Sequence, residues 1–415
     1  MKRTFAIYIL VLFVAFPGFA QKKEIVAASD LVKQDKNLDK AEQSMTKLLQ
    51  DSSNREKEKI WNVLFGALQK QYEQGNEKLY LKQKYDTASL FNIASRMFTA
   101  MIAYDSIDAR PDKNGKVKPK YRKQNATLLN ALRPNLYNGG AYFIKKKDYK
   151  SAYMFFDQYV DVANQPMFKA YKYVEKDKRM PEAAYWAVYC GYKLNDTHKV
   201  LHHTYLALKD TAHKEPMLQY LAATYQLEGD TARFVSTLAE GFAHYPLSPY
   251  FFPHLIDHYS KQSEWAKALS LTDEALKSDS INKLFLLTKS SILLNIGAYD
   301  ECFVICDSLI RRLSAQGSEV SVDSIGDFFA ISEVYLNAGI AKFNQGVMLD
   351  KNVQESKQKR NRILCFYKEA LPYLEQYRKL NPEAKDKWAL PLYTIYLNLN
   401  MGAKFDEIDK IMKTK

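Results

Sequence analysis

Residues 217–246 read MLQYLAATYQLEGDTARFVSTLAEGFAHYP, two apolar-periodic runs parted by the small polar pair Gly229-Asp230. Ala222 and Tyr225 lie on one face of the first run. Phe234, Leu238 and Gly241 are spaced four and three apart in the second, as one face of a helix requires. A small-polar break between two such runs is the pattern of a helical hairpin. The break recurs every 34 residues, at Asn195-Asp196, Gly229-Asp230, Ser263-Glu264 and Gly297-Ala298. Tyr225, Tyr259 and Leu293 stand four before the last three turns, and Ala222, Ile256 and Ser290 three earlier still. After the turns, Ala268, Thr272 and Ala275, then Cys302, Cys306 and Leu309, repeat the stripe of Phe234, Leu238 and Gly241. An earlier unit, Gly140, Phe143, Asp148-Tyr149, Ala152 and Phe156, sits 48 residues before the Asn195 unit, its extra residues falling around 165–179.

With 15 glycines and 13 prolines in 415 residues, 47% apolar and 26% charged, the composition suits long amphipathic helices and argues against disorder. The expected fold is all-α, a solenoid of helix-turn-helix hairpins, each packing only on its neighbours. Worn copies flank the array. Ala41, Met45 and Leu48 share one stripe, and residues 61–72 pair with 85–104, 328–345 with 363–380, and 391–399 with 404–412. The expected organisation is a signal peptide over 1–20, degenerate hairpins over 21–105, a linker over 106–120, a central array over 121–314 and degenerate hairpins over 315–415. A long loop between helices explains residues 106–120 equally well.

A 34-residue helical hairpin of this kind resembles the tetratricopeptide repeat (TPR). The match is fullest at Leu221-Ala222, Tyr225, Gly229-Asp230 and Pro246, and it departs at Val200, Cys302 and Leu309, where the repeat carries other residues. The resemblance implies a right-handed superhelix whose first helices line a concave groove for a protein or peptide partner. It places in that groove Tyr137 and Lys145; Tyr185, Tyr189, Tyr192 and Lys193; Gln219 and Gln226; and Tyr250, Asp257 and Lys261. Tyrosines and a lysine on one helix face make a favoured binding surface. The other reading is that they are packing residues in a chain with 29 tyrosines.

The amino terminus reads as an export signal. Lys2 and Arg3 precede an apolar run from Phe5 to Phe16, and Pro17-Gly18-Phe19-Ala20 closes it with small residues where cleavage needs them. As a helix the apolar run would span about 18 Å against a hydrocarbon core of ~30 Å. We therefore expect cleavage before Gln21, no transmembrane span in the mature chain, and a periplasmic or secreted protein. The net charge of +13 gathers at 113–123, 145–150, 169–179 and 351–362. It serves solubility or favours an anionic glycan or envelope component as the alternative partner. Nucleic acid is not expected, because the chain leaves the cytoplasm and no recognition motif accompanies the charge.

No constellation for catalysis is present: the sequence has no phosphate loop, no nucleophile elbow and no Cys-x-x-Cys, so neither an enzyme nor a cofactor is expected. His198, His202 and His203, and His254 with His258, carry metal-compatible spacing but lack the glutamate of a zinc hydrolase, and read as surface histidines with no metal. Cys190, Cys302, Cys306 and Cys365 read as buried free thiols. Cys302 and Cys306 share a helix, where a disulfide closes poorly. Finally, Asp-Ser/Thr-aliphatic occurs seven times, placing Thr87, Ser106, Thr211, Thr231, Ser280, Ser308 and Ser324 after an aspartate. The tripeptide resembles the acceptor of a bacterial periplasmic O-glycosylation system, and it also suits helix caps and turns.

Overall fold

All four breaks at the 34-residue period adopt the left-handed conformation: φ is 53° at Asn195, 72° at Gly229, 56° at Ser263 and 79° at Gly297. In each, the next residue's N–H reaches back to close the preceding helix. Asp196 donates to the Gly191 carbonyl at 3.0 Å, Asp230 to Tyr225 at 2.9 Å, Glu264 to Tyr259 at 2.8 Å and Ala298 to Leu293 at 2.9 Å. This is the closure that a left-handed residue after the last helical turn makes possible. Lys147 (φ 59°) repeats it in the earlier unit, Asp148 donating to Phe143 at 3.0 Å. The same aspartates open the next helix, since Asp148, Asp196 and Asp230 accept from the N–H groups of Ser151, Lys199 and Arg233 at 3.0, 3.1 and 2.9 Å. At these three breaks two residues stop one helix and start another, whereas Glu264 makes no side-chain cap bond, so the feature common to the whole period is the left-handed closure.

This computed structural model describes residues 17–315, 325–351 and 356–413, with no strand among them. The chain divides after Phe234 into two compact units. The first holds α1 (Pro17–Lys33), α2 (Leu38–Gln50), α3 (Glu58–Tyr80), α4 (Thr87–Asp108), α5 (Arg122–Leu132), α6 (Pro134–Lys145), α7 (Tyr149–Asp161), α8 (Tyr173–Lys176), α9 (Met180–Lys193), α10 (Thr197–His202), α11 (Thr204–Ala207) and α12 (Lys214–Leu227). Helices pack on near neighbours in sequence: α2 on α1 and α3, α3 on α4, α6 on α4 and α7, and α9 on α7, α10 and α12. The division falls inside α13 (Thr231–His244).

The second unit continues with α14 (Phe251–Lys261), α15 (Trp265–Ser278), α16 (Lys283–Asn295), α17 (Tyr299–Ala315), α18 (Ile325–Asp350), α19 (Lys357–Leu380), α20 (Lys385–Asn398) and α21 (Gly402–Lys413). Each helix from α14 to α20 packs on its successor, α18 and α19 forming the longest pair. The predicted stripe is core throughout. Ala222, Leu238, Ala268, Thr272, Ala275, Cys302 and Cys306 are fully buried, as are Ala41 and Met45 in α2.

Two expectations need adjusting, and the inserted segment after α7 gains a structure. Segment 106–120 is not a divide between domains: α4 runs through Ser106 to Asp108, and the loop that follows stays within the first unit. Bonds across it hold it there. Arg122 donates to both Asp105 oxygens at 2.8 and 2.9 Å, and Tyr104 packs on Tyr121 and stacks on Trp61. The extra residues after α7 are folded, in 3-10 turns at Val162–Asn164 and Pro166–Tyr171 and in α8, with Phe168 and Tyr173 buried. Of the thiols, Cys190, Cys302 and Cys306 are buried and free as expected, whereas Cys365 is exposed on α19. Residues 1–16 of the expected signal peptide, and Ser324, lie outside the described residues. Among those described, no helix is long and apolar enough to cross a membrane.

Candidate functional site

Helix α9 carries the largest group of expected groove residues, Tyr185, Tyr189, Tyr192 and Lys193, and its sequence, MPEAAYWAVYCGYK, divides them between two faces. Ala183, Ala187, Cys190 and Gly191 take the buried side. Gly191 is required there: a Cβ would lie 2.7 Å from the Val200 nitrogen, so only glycine lets α10 approach this closely. Trp186, Tyr189 and Tyr192 are turned partly outward.

These rings form one connected aromatic layer in the first unit. Tyr192 stacks on Tyr220 of α12 with centroids 4.5 Å apart, and Tyr189 meets Tyr220 at 6.0 Å, Trp186 at 5.6 Å and Tyr149 of α7 at 5.9 Å. Lys193 places its ammonium 5.4 Å from the Tyr189 ring and 5.8 Å from that of Tyr192. Burial, then the Tyr149 hydroxyl, raises the Tyr189 phenol above its ordinary pKa; burial, then Tyr185, does the same for Tyr220. The layer presents flat rings, hydroxyls and one cation at its edge.

Tyr185 does not belong to this surface and is corrected to a packing residue. It is 5% exposed, stacked on His213 at 4.1 Å and set edge-on to Trp186 at 5.1 Å. Four residues before Tyr189, it shares a helix face, but α12 and the turn before it cover that part of the face. Tyr137 is half-buried, edge-on to Phe156 and Tyr159, with burial and a hydrogen bond to Glu182 raising its phenol pKa. Lys145 is exposed at the end of α6. On α12, Gln226 is exposed and Gln219 donates to Glu215 at 3.4 Å. In the second unit Tyr250 stacks on His254 at 4.2 Å, and Asp257 pairs with Lys261 at 2.7 Å on the exposed side of α14. Trp186, Tyr220 and Tyr149 were not expected in the layer. Carrying over repeat positions selects residues by register alone; Tyr149 and Tyr220 enter through contacts between helices, and Trp186 through its packing on Tyr189 within α9.

The reading of all these histidines as surface residues also fails in one place. His198 and His202 are exposed, but His203 is buried, its Nε2 2.9 Å from Asp157 Oδ1. The Asp-Ser/Thr sites separate by local structure. Thr87, Thr211 and Thr231 each follow a capping aspartate, and Ser280 lies in the turn where Asp279 accepts from the Ile281 N–H. Ser106 and Ser308 instead lie within α4 and α17, exposed but helical, so they are not turn residues.

No protein-family model matches this sequence, and no curated protein does. Solved structures similar to it include the TPR domain of P58(IPK), 11% identical, with 92% of this chain and 99% of that chain covered and a TM-score of 0.26. Yeast Tom70 is another, 13% identical, with 94% and 91% covered and a TM-score of 0.26. At that superposition neither adds to what the hairpins show. The fold is TPR-like by its own period, turns and packing.

Proposed function

We propose that this chain is an exported, non-catalytic scaffold that binds a protein or peptide segment on the aromatic layer of α9 and α12. The observation that carries the reading is the mutual packing of Tyr189, Tyr192 and Tyr220, half-exposed yet held by one another and by Trp186. Rings fixed before binding lose little rotamer entropy on contact, and their hydroxyls can bond to a peptide backbone. Lys193 adds a preference for an acidic residue beside the aromatic anchor. Export is supported by the amino-terminal pattern alone. Cleavage before Gln21 would remove only the first residues of α1 and keep its buried contacts, Ile25 and Ala28.

The test places a photo-crosslinking amino acid at Tyr192 and, as a control, at Tyr205, which is 79% exposed on α11. A discrete protein adduct from the native host at position 192 and not at 205 is the expected result. Tyr189→Ala should weaken capture of that partner by ~1–2 kcal/mol in a chain that remains folded by circular dichroism. Equal adducts at both positions, or capture of polysaccharide alone with steep salt dependence, would remove the protein-binding reading.

A further inference from the structure

Four metal-capable side chains converge away from the aromatic layer, on the second helices of successive hairpins. Asp157 and Asp161 are one turn apart on α7, which puts both carboxylates on one face. His202 ends α10 and His203 follows it. Adjacent side chains on a regular helix diverge by about 100°. Here the helix breaks at His203 (φ −111°, ψ 14°), and the two imidazoles come together with centroids 4.1 Å apart and planes 31° apart. Both rings aim at one atom: His203 Nε2 lies 2.9 Å and His202 Nδ1 3.0 Å from Asp157 Oδ1. Asp161 Oδ1 is 3.9 Å from His203 Nε2, and one donor atom from each of the four residues lies within 4.8 Å of the others. Tyr153 places its hydroxyl 3.4 Å from His202 Nδ1 and so buttresses that ring. The His203 side chain is only 7% exposed.

We infer that Asp157, Asp161, His202 and His203 form a binding site for a borderline divalent cation, Zn²⁺ above all. With bonds near 2.1 Å at tetrahedral angles, zinc donors lie about 3.4 Å apart. The separations of 2.9 to 3.9 Å straddle that value and none exceeds 4.8 Å, so closing on an ion needs side-chain adjustments of roughly an ångström to an ångström and a half. The charge also balances, because two carboxylates neutralise a divalent ion and two neutral imidazoles supply lone pairs. Calcium and magnesium prefer all-oxygen shells, and soft copper(I) prefers sulfur, so the mixed nitrogen and oxygen set selects zinc-like ions. Four protein donors close the coordination sphere, which marks a structural site rather than a catalytic one. Bound there, the ion ties α7 to the break between α10 and α11 and fixes one hairpin against the next. That break is where this unit departs most from the repeat, its second helix stopping after six residues at His202.

The experiment uses the untagged full chain, stripped of metal by chelation and dialysis, and titrates it with Zn²⁺ alone by calorimetry. One ion per chain at low micromolar affinity or tighter is expected, with a higher melting temperature than the stripped protein. Co²⁺ at the same site should give the strong visible absorption of tetrahedral coordination. His202→Gln and Asp161→Asn remove half-exposed donors, with side chains 50% and 46% exposed, so the fold should persist by circular dichroism. Each should weaken binding at least about tenfold, whereas His198→Gln, exposed and outside the cluster, should leave it unchanged. The site is overturned if the wild type takes up no Zn²⁺ at micromolar concentration, if the folded His202→Gln/Asp161→Asn chain binds as tightly as the wild type, or if His198→Gln weakens binding equally. Should the variants not fold, an octahedral Co²⁺ spectrum in the wild type would refute the four-donor site by itself.

Discussion

Arg133 offers the sharpest test of how the inserted segment after α7 is held. Its side chain is 7% exposed and pairs with Asp177, 16% exposed. The guanidinium centre lies 3.8 Å from the Tyr159 ring and 3.9 Å from that of Tyr173, and Nη2 donates to the Tyr159 carbonyl at 3.1 Å. Arg133→Met keeps the volume and removes the charge. Asp177 would keep only the Tyr159 hydroxyl at 2.7 Å and the Arg179 N–H at 3.0 Å. Breaking a buried pair from one side costs about 3–5 kcal/mol. Because two donors remain on Asp177 we expect the lower end, about 3 kcal/mol, which includes the lost cation–π contacts at ~0.5–1 kcal/mol each.

The assay is urea denaturation by circular dichroism, with hydrogen exchange resolving segment 162–179. The loss should concentrate in that segment, and Arg133→Met/Asp177→Leu should recover more than about 1 kcal/mol by removing the stranded charge. In the folded chain burial acts to raise the Asp177 pKa, but hydrogen bonds from Tyr159 and Arg133 outweigh it and the net shift is downward. Its contribution is therefore complete above the unfolded value of about 3.9 and is lost as pH falls through the lower folded value. A single variant costing under about 1 kcal/mol, with no recovery in the double, would refute the reasoning.

Other expectations follow from local geometry. Gly140→Ala would put a Cβ 2.6 Å from the Phe156 ring, and thermal denaturation should show a loss of about 1–3 kcal/mol despite the better helix former. At Gly229, where a Cβ meets nothing within 4 Å but φ is 72°, alanine should cost only the left-handed penalty of ~1–2 kcal/mol. Native alkylation followed by intact mass should modify Cys365 alone, and all four thiols should react in denaturant; native reaction at Cys302 or Cys306 would contradict their burial. Edman sequencing of exported protein should begin at Gln21. If the Asp-Ser/Thr tripeptides are glycosylated, native protein is heavier than residues 21–415 and Thr231→Ala removes one increment of mass, whereas an unmodified mass leaves capping as their role.

The hairpins could be read from the sequence because their causes are local. A turn residue that tolerates positive φ, an aspartate that caps the next helix and a stripe spaced four and three all lie within one repeat. So Ala222, Ala268 and Cys302 were identifiable as core before any helix was placed. Tyr185 and Tyr189 could not be told apart, since both sit on one face of α9; the Tyr185 ring is buried because His213, from the turn before α12, stacks on it. The loop at 106–120 looked like a linker by composition, yet Arg122 and Tyr121 bind it to α4 from beyond its end. His202 and His203 meet Asp157 across 45 and 46 residues of chain. Sequence periodicity records which side of its own helix a residue occupies; which partner arrives on that side depends on how neighbouring hairpins pack, and only the tertiary structure settles that.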